Sequence, residues 1–442
     1  MKQHNLDKTS LASAFLLFLF AAGLGLAMIL VKTRSAFHFS EPIPLAGEGL
    51  SVVLPVGPGW KILTEWNYEQ DNSFTLVGAL TPRTAPLIEI RWQYKLAEPP
   101  MGPREVLEKI VEPFHGPVSP IETLEGPLVF CQVQLFSRAD GEQILLAAAV
   151  PREGRVLLLQ LKSFSDSLLL SELFEQLASR VVYQPDPRRQ IGRRLSEEIT
   201  SRLYPQWLDN LSRRADFFLL SSPSGTPLGY SKTAAVQPAD PFQTALEQEQ
   251  FFRQNNFRLQ TRFETAGNID EFVWTTYRQI RRRPLQIRVR RLRDGAVQIQ
   301  DSYQRERVCW PSKEALPEIL LPLAARAMLD TEQPEAVLDL IAFSGQVVPI
   351  LLTRSAGSAA SSMPESTAAV VKIVFLHHAE NYEEYYFNAQ HTLLARLEVL
   401  PDQPGRLWKP AEENDLRRLL NPSAGKPEEI VYKEPLKMDE LL

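Results

Sequence analysis

Ten arginines fall between Glu271 and Trp310 against four acidic residues, Glu271, Asp294, Asp301 and Glu306, a formal +6 over 40 residues. Each guanidinium presents a planar fork of donors that matches a carboxylate or a phosphate. Leu285, Ile287 and Val289 alternate with Gln286, Arg288 and Arg290, a strand period that puts the guanidinium groups on one face. Arg281-Arg282-Arg283-Pro284 forms the adjoining turn. Arg281, Arg282, Arg283, Arg288 and Arg290 are therefore the candidate ligand-binding residues, for an anionic partner such as phospholipid head groups, an acidic glycan or an acidic protein. The competing reading is a solvated outer face whose charges discourage edge-to-edge association.

The cluster with metal-ligand residue types is His377-His378 with Glu380, Glu383, Glu384 and His391. Neighbours on a strand point to opposite faces, so the histidine pair does not converge on one ion and no metal site is assigned. Catalytic signatures are absent: there is no Gly-x-Ser-x-Gly elbow, no phosphate-binding glycine loop, no dinucleotide fingerprint and no His-Glu-x-x-His. No catalytic residue and no cofactor follow from the sequence. Catalytic groups can still converge from distant positions, which keeps an enzyme as the alternative. Cys131 and Cys309 are the two cysteines of the chain and each sits in an apolar strand pattern, so two separately buried thiols are expected.

These residues belong to a chain of 442 with net charge −5, 44% hydrophobic and 23% charged. Such a balance describes a globular protein of about two domains and carries no nucleic-acid footprint. Leu11 to Val31 runs without a charge and is long enough to cross a hydrocarbon core of roughly 30 Å as a helix. It reads as a single-pass signal anchor, the competing reading being a cleaved signal with Gly25-Leu26-Ala27 as its small-residue site. Gly23 and Ala27 form a small-xxx-small pair. With Lys2 and Lys8 before the run and Lys32 and Arg34 after it, the head is placed in the cytoplasm and the body outside it.

The body divides by its punctuation. From 50 to 184 strand patterns alternate with two helices, Pro103–Phe114 and Ser167–Arg180, the second placing Leu169, Leu170, Leu173, Phe174 and Leu177 on one face. Val52 to Pro55 leading into Gly59-Trp60, the central helix, and Glu172-Leu173-Phe174 running on to Arg180-Val181-Val182-Tyr183 resemble the PsbP-like group of α/β/α sandwich domains. That resemblance implies a scaffold that binds partners or serves assemblies without catalysis. Gln184-Pro185-Asp186-Pro187 breaks both helix and ladder and marks a domain boundary.

Beyond it a long meander is interrupted by a helix at Glu314–Leu329 and resumes at Ala336, which suggests a strongly curved sheet wrapped on that helix. Gly229-Tyr230, the meander, and Leu316-Pro317-Glu318-Ile319-Leu320-Leu321-Pro322-Leu323 resemble the LolA-like half-barrel group of periplasmic carriers. That resemblance implies a concave face for an apolar ligand or a lipid-modified partner.

The expected fold is therefore α+β. It consists of a cytoplasmic head (1–10), an N-terminal transmembrane helix (11–31), a linker (32–49), an antiparallel-sheet α/β/α sandwich (50–184), a curved antiparallel β-meander domain wrapped on a helix (185–420), and a disordered tail (421–442). The expected function is a membrane-anchored extracytoplasmic binding or assembly protein of a bacterial envelope, non-catalytic. Its partners would be the bilayer through residues 11–31 and envelope proteins or an apolar ligand, with no nucleic acid. The alternative is a hydrolase acting on an envelope polymer.

Overall fold

The computed structural model describes residues 37–420 except 64, 70–71, 82–86, 99–100, 137–141, 164–166, 222–226, 238–242, 253–256, 266–268, 281–282, 304, 357–363, 365, 378–379 and 402–404. Strict alternation builds the first sheet. In Ile88–Leu96 the side chains of Ile88, Ile90, Trp92 and Tyr94 are buried while Glu89, Arg91 and Gln93 turn away. The sheet runs Trp60–Ile62, Phe74–Leu80, Ile88–Leu96, Arg155–Ser163, Gln143–Arg152, Phe130–Phe136, Glu122–Leu124, each neighbour antiparallel, with Asn67–Tyr68 also on Phe74–Leu80. Helix α1 (Pro103–Val111) presses Val106 and Leu107 against Val133, Leu135, Ala148 and Val156 on one face. Helix α2 (Ser167–Ala178) presses Leu170, Leu173, Phe174 and Leu177 against the Trp92, Phe130 and Leu159 face. Each such side chain contributes roughly 1.5–3 kcal/mol by leaving water.

The second sheet has 15 strands. One meander climbs from Asp216–Ser221 through Pro227–Val236, Thr244–Phe252, Phe257–Thr265, Phe272–Ile280, Arg283–Arg291 and Val297–Asp301 to Glu306–Cys309. The chain then crosses as α5 (Leu321–Asp330) and a second meander returns through Glu335–Ile341, Val347–Ala356, Ala369–Phe375, Tyr382–Phe387, Leu393–Val399 and Arg406–Ala411. Its last strand pairs with Asp216–Ser221, so the two meanders form one surface. That surface curls until its wings meet. The Trp274 ring stands edge-on to Phe343 at 4.7 Å, and a Cβ on Gly345 would run into Ile299. A single apolar cluster joins Leu246, Phe263, Trp274 and Val289 of one wing to Ile350, Ile373 and Tyr385 of the other through Ala324, Ala325 and Met328 of α5.

Between the sheets the chain passes through α3 (Pro187–Glu198), a π-helical turn at Ile199–Leu203, and α4 (Tyr204–Arg213). Asp186 caps α3 by accepting the Arg188 N–H at 2.9 Å, and Pro187 fills the first turn where no donor is needed. Gly192 lies against Glu335–Ile341 so closely that a Cβ would stand 2.0 Å from the Val337 carbonyl oxygen. The helix therefore seats directly on the strand backbone.

Strand dominates throughout, which corrects the expected α+β class to a mostly β protein. The helices are short: α1 ends at Val111, two residues before Pro113, and α2 at Ala178, before the chain returns to strand at Val182–Tyr183. Against the transmembrane, single-pass signal-anchor expectation, no helix among the described residues, which do not include Leu11–Val31, is long and apolar enough to cross a membrane. Leu11–Val31, the Gly23/Ala27 pair and the 421–442 tail lie outside the described residues. Replacing Gly192 with alanine should lower stability by roughly 1–3 kcal/mol in urea unfolding, because overpacking outweighs the better helix propensity. A more stable variant would contradict the close seating of α3.

Candidate functional site: a buried ion network beneath an inter-sheet cleft

Glu48 stands between two glycines in the turn that joins Ile43–Leu45 to Leu50–Val52. Gly47 and Gly49 have φ of +76° and +64°, a conformation that side chains resist, and a Cβ on Gly49 would strike the Gln184 carbonyl. The turn drives the carboxylate into the junction of the two sheets, where it is fully buried. Arg152 and Arg155 are Cα partners at the tip of the hairpin formed by Gln143–Arg152 and Arg155–Ser163, so both leave the sheet on the same side. Asp339 comes from the middle of Glu335–Ile341 and Arg189 from the first turns of α3.

These groups form one connected network. Arg152 forks onto Glu48 with Nε–Oε2 at 3.0 Å and Nη2–Oε1 at 3.1 Å, and reaches Asp339 Oδ2 at 3.2 Å. Arg189 donates to Glu48 Oε1 at 2.6 Å, to Asp339 Oδ1 at 3.2 Å and to the Gly47 carbonyl at 2.7 Å. The Tyr94 hydroxyl donates to Glu48 at 2.8 Å and the Ser312 hydroxyl to Asp339 at 3.0 Å. Arg155 is the loosest member. It is 1% exposed, lies 3.6 Å from Asp339 and 5.6 Å from the Tyr94 ring centre, and among the described residues none of its guanidinium nitrogens has a hydrogen-bond acceptor.

Three arginines face two carboxylates, an excess of one positive charge. Burial is the largest single influence on Glu48 and pushes its carboxyl upward, but Arg152, Arg189 and Arg155 together outweigh it and hold the group below the usual range. Asp339 experiences the same contest and ends well below its ordinary value. Both carboxylates stay charged, so neither can supply a proton at neutral pH. Burial and the Glu48 charge hold the Tyr94 phenol protonated far into alkali.

Above the network opens a cleft of about 630 Å3 lined by Tyr183 and Trp310 and by six carboxylates, Glu48, Glu153, Asp186, Asp294, Glu314 and Asp339, against four cations, Arg152, Arg189, Arg193 and Lys313. One wall is the loop after Cys309, held by Arg291: its guanidinium donates to the carbonyls of Ala315 at 2.8 Å, Lys313 at 2.7 Å and Ser312 at 3.3 Å. Arg155 lines a smaller adjoining pocket, and Glu153 and Gly154 border both spaces.

The residues singled out from sequence are placed elsewhere. Arg288 and Arg290 are exposed on the outer face of the curled sheet, Arg281 and Arg282 lie outside the described residues, and so does the side chain of Arg283. Their neighbour Arg291 is the one that turns inward. The histidine-rich group is dispersed: the His377 ring packs on Tyr68 at 4.6 Å, His391 Nδ1 lies 3.3 Å from Asp330, Glu384 faces Lys372, and Glu383 points into the curled sheet. His378 is outside the described residues, among which no three ligands are placed to hold a metal ion. Cys131 and Cys309 are both buried and unbridged, and burial pushes the Cys309 thiol up to about 12. Sequence reasoning passed over Glu48, Arg152, Arg155, Arg189 and Asp339. The available signal was Gly47-Glu48-Gly49, an acid held between two turn glycines.

Glu48→Gln leaves three buried cations facing one carboxylate and should cost about 3–5 kcal/mol at pH 7 in urea unfolding. Both carboxyls titrate lower in the folded chain than in the unfolded one. Their contribution is therefore complete above the unfolded value near pH 4 and is lost as pH falls through the depressed folded values. The gap between the wild type and Glu48→Gln should shrink steadily below about pH 4, and a gap independent of pH would contradict the network's ionised state.

No family model matches the chain, and no curated protein does. Among solved structures the chain is similar to the crystal structure of a β-barrel-like protein of a domain of unknown function, DUF1849, from Brucella abortus, at 10% identity and a TM-score of 0.33, covering 45% of this chain and 95% of that one.

Proposed function

We propose that the protein acts by binding rather than by catalysis, and that a partner seated in the cleft between its sheets presents an acidic group, a carboxylate or a phosphate, to Arg155 in the smaller pocket that borders the cleft at Glu153 and Gly154. Arg155 carries the reading: a buried guanidinium without a hydrogen-bond acceptor, in a cluster with one unbalanced positive charge. An incoming oxyanion meets both needs, and charge-assisted bonds to arginine are the strong ones. The cleft volume falls within the range of ligand sites, and Trp310 and Tyr183 give it flat walls beside the polar floor. Lys313 at the edge of the cleft is exposed, and among the described residues no carboxylate is paired with it. A hydrolase is disfavoured at this place because Glu48 and Asp339 are both held charged, which leaves no acid to pair with a base. The PsbP-like resemblance of 50–184, a group that mostly serves binding, points the same way.

The test is the thermal midpoint of the full chain in citrate and in inorganic phosphate, each against sodium chloride of matched ionic strength. A ligand at many times its Kd should raise the midpoint by about 2–4 °C. Arg155→Met should remove that rise, and the surface change Lys313→Glu should reduce it. Equal midpoints in the acids and in the chloride control would defeat the proposal. A rise in phosphate alone would assign the cleft to phosphoryl groups, and a rise in citrate alone to carboxylates.

A further inference from the structure

Helix α1 covers only part of its face of the first sheet. A helix is about 10 Å wide and strands lie about 4.8 Å apart, so one helix shelters roughly two strands. Val106 and Leu107 of α1 pack with Cys131 and Val133 of one strand and Ala148 of the next. Register shows what lies beyond them on the same face. Val133 is the partner of Leu146, Leu146 of Gln160, and Gln160 of Arg91. In the next row Ala148 pairs with Leu158, and Leu158 with Gln93. The face therefore passes from buried apolar side chains beneath the helix, through a half-buried apolar band of Ile144, Leu146 and Leu158, to a polar border.

That band is the floor of a groove of about 390 Å3. Ile110 and Phe114, at and just beyond the C-terminal end of α1, line it on the helix side, and Arg91, Gln93, Lys95 and Gln160 line it on the side of the polar border. The groove shares no lining residue with the inter-sheet cleft or its smaller neighbour. Its charge differs in kind as well. The lining of the cleft holds six carboxylates, whereas among the described residues the lining of the groove holds two cations, Arg91 and Lys95, and no carboxylate. Arg91 is exposed and gives Glu89 one nitrogen at 3.3 Å, a surface pair that contributes little and exchanges readily for a better acceptor.

We infer that the groove binds a single-chain anionic amphiphile, a fatty acid or the corresponding alkyl phosphate. The hydrocarbon chain lies on Ile144, Leu146 and Leu158 against Phe114, and the head group meets Arg91 and Lys95. Covering an apolar band that water reaches is favourable in itself. The wall that α1 provides is nine residues, about 13 Å, which suits a chain of medium length. The basic border adds selection by charge, since a neutral head leaves it unused and a cationic head is repelled. A volume near 390 Å3 falls within the range of small-molecule sites. The groove places an apolar ligand on the first sheet, not on the concave face of the second, where the half-barrel resemblance implied one.

Titration calorimetry of the full chain with laurate and with dodecyl phosphate, each below its micelle concentration, tests the inference. At least one should bind with a Kd below about 100 μM; binding of the phosphate alone would assign the head group to phosphoryl chemistry, and of laurate alone to a carboxylate. Shortening the chain by two methylenes should weaken binding about tenfold. The surface double variant Arg91→Glu/Lys95→Glu should weaken it about tenfold, and Leu146→Asn should weaken it as well. Lys313→Glu, in the cleft, should leave it unchanged. No binding of either amphiphile, equal binding of dodecyltrimethylammonium, or an affinity indifferent to Arg91→Glu/Lys95→Glu would overturn the inference. Because citrate and inorganic phosphate are read at Arg155 and amphiphiles at Arg91 and Lys95, either site can fail without the other.

Discussion

Two carboxylates, Glu48 and Asp339, are withdrawn from water where the sheets meet, and three guanidinium groups keep them charged there. Taking a charge into a protein interior is costly, and removing one partner afterwards costs more than the pair contributes. The consequence is positional. Glu48 belongs to the first turn of the body, Arg152 and Arg155 to the tip of a hairpin in the first sheet, Arg189 to the connecting helix, and Asp339 to the returning meander. None of these elements can move independently without exposing an uncompensated charge, so the network fixes the geometry of the cleft above it.

The same chain treats its second polar interior differently. At the inter-sheet junction the carboxylates are neutralised by bidentate and near-bidentate contacts, and burial loses to charge. Around Glu318 and Glu383 burial wins, because Arg396 stands 3.9 Å from Glu383 and is shared among several acids. Tight pairing yields a rigid joint. Loose pairing leaves the Nε of Arg396 without an acceptor among the described residues, a cost the tight joint avoids.

Local signals in the sequence locate many elements well. Helix α2 begins at Ser167 as its 3.6-residue spacing of leucines indicates, and α1 begins at Pro103, where proline suits a first turn. The alternation at Val289 and Arg290 also reads correctly as buried and exposed. What alternation does not convey is the partner of each face. Arg291 continues a run of arginines that looks uniformly solvated, yet its position opposite Phe272 turns it inward to the loop at Ser312–Ala315. The network was illegible for a related reason: its five charged members are spread from residue 48 to residue 339, each in an unremarkable local context, and segment 32–49, read as a linker, carries strands and Glu48. Only the glycines around Glu48 mark the position locally.

The most direct test of the joint is native-state hydrogen exchange in increasing denaturant, comparing amides of Arg155–Ser163 in the first sheet with those of Val347–Ala356 in the second. If the ion network couples the sheets, the two sets lose protection together in the wild type and separate in Glu48→Gln, the first sheet opening at lower denaturant. Two separate openings already present in the wild type, or a variant in which the sets still open together, would contradict it.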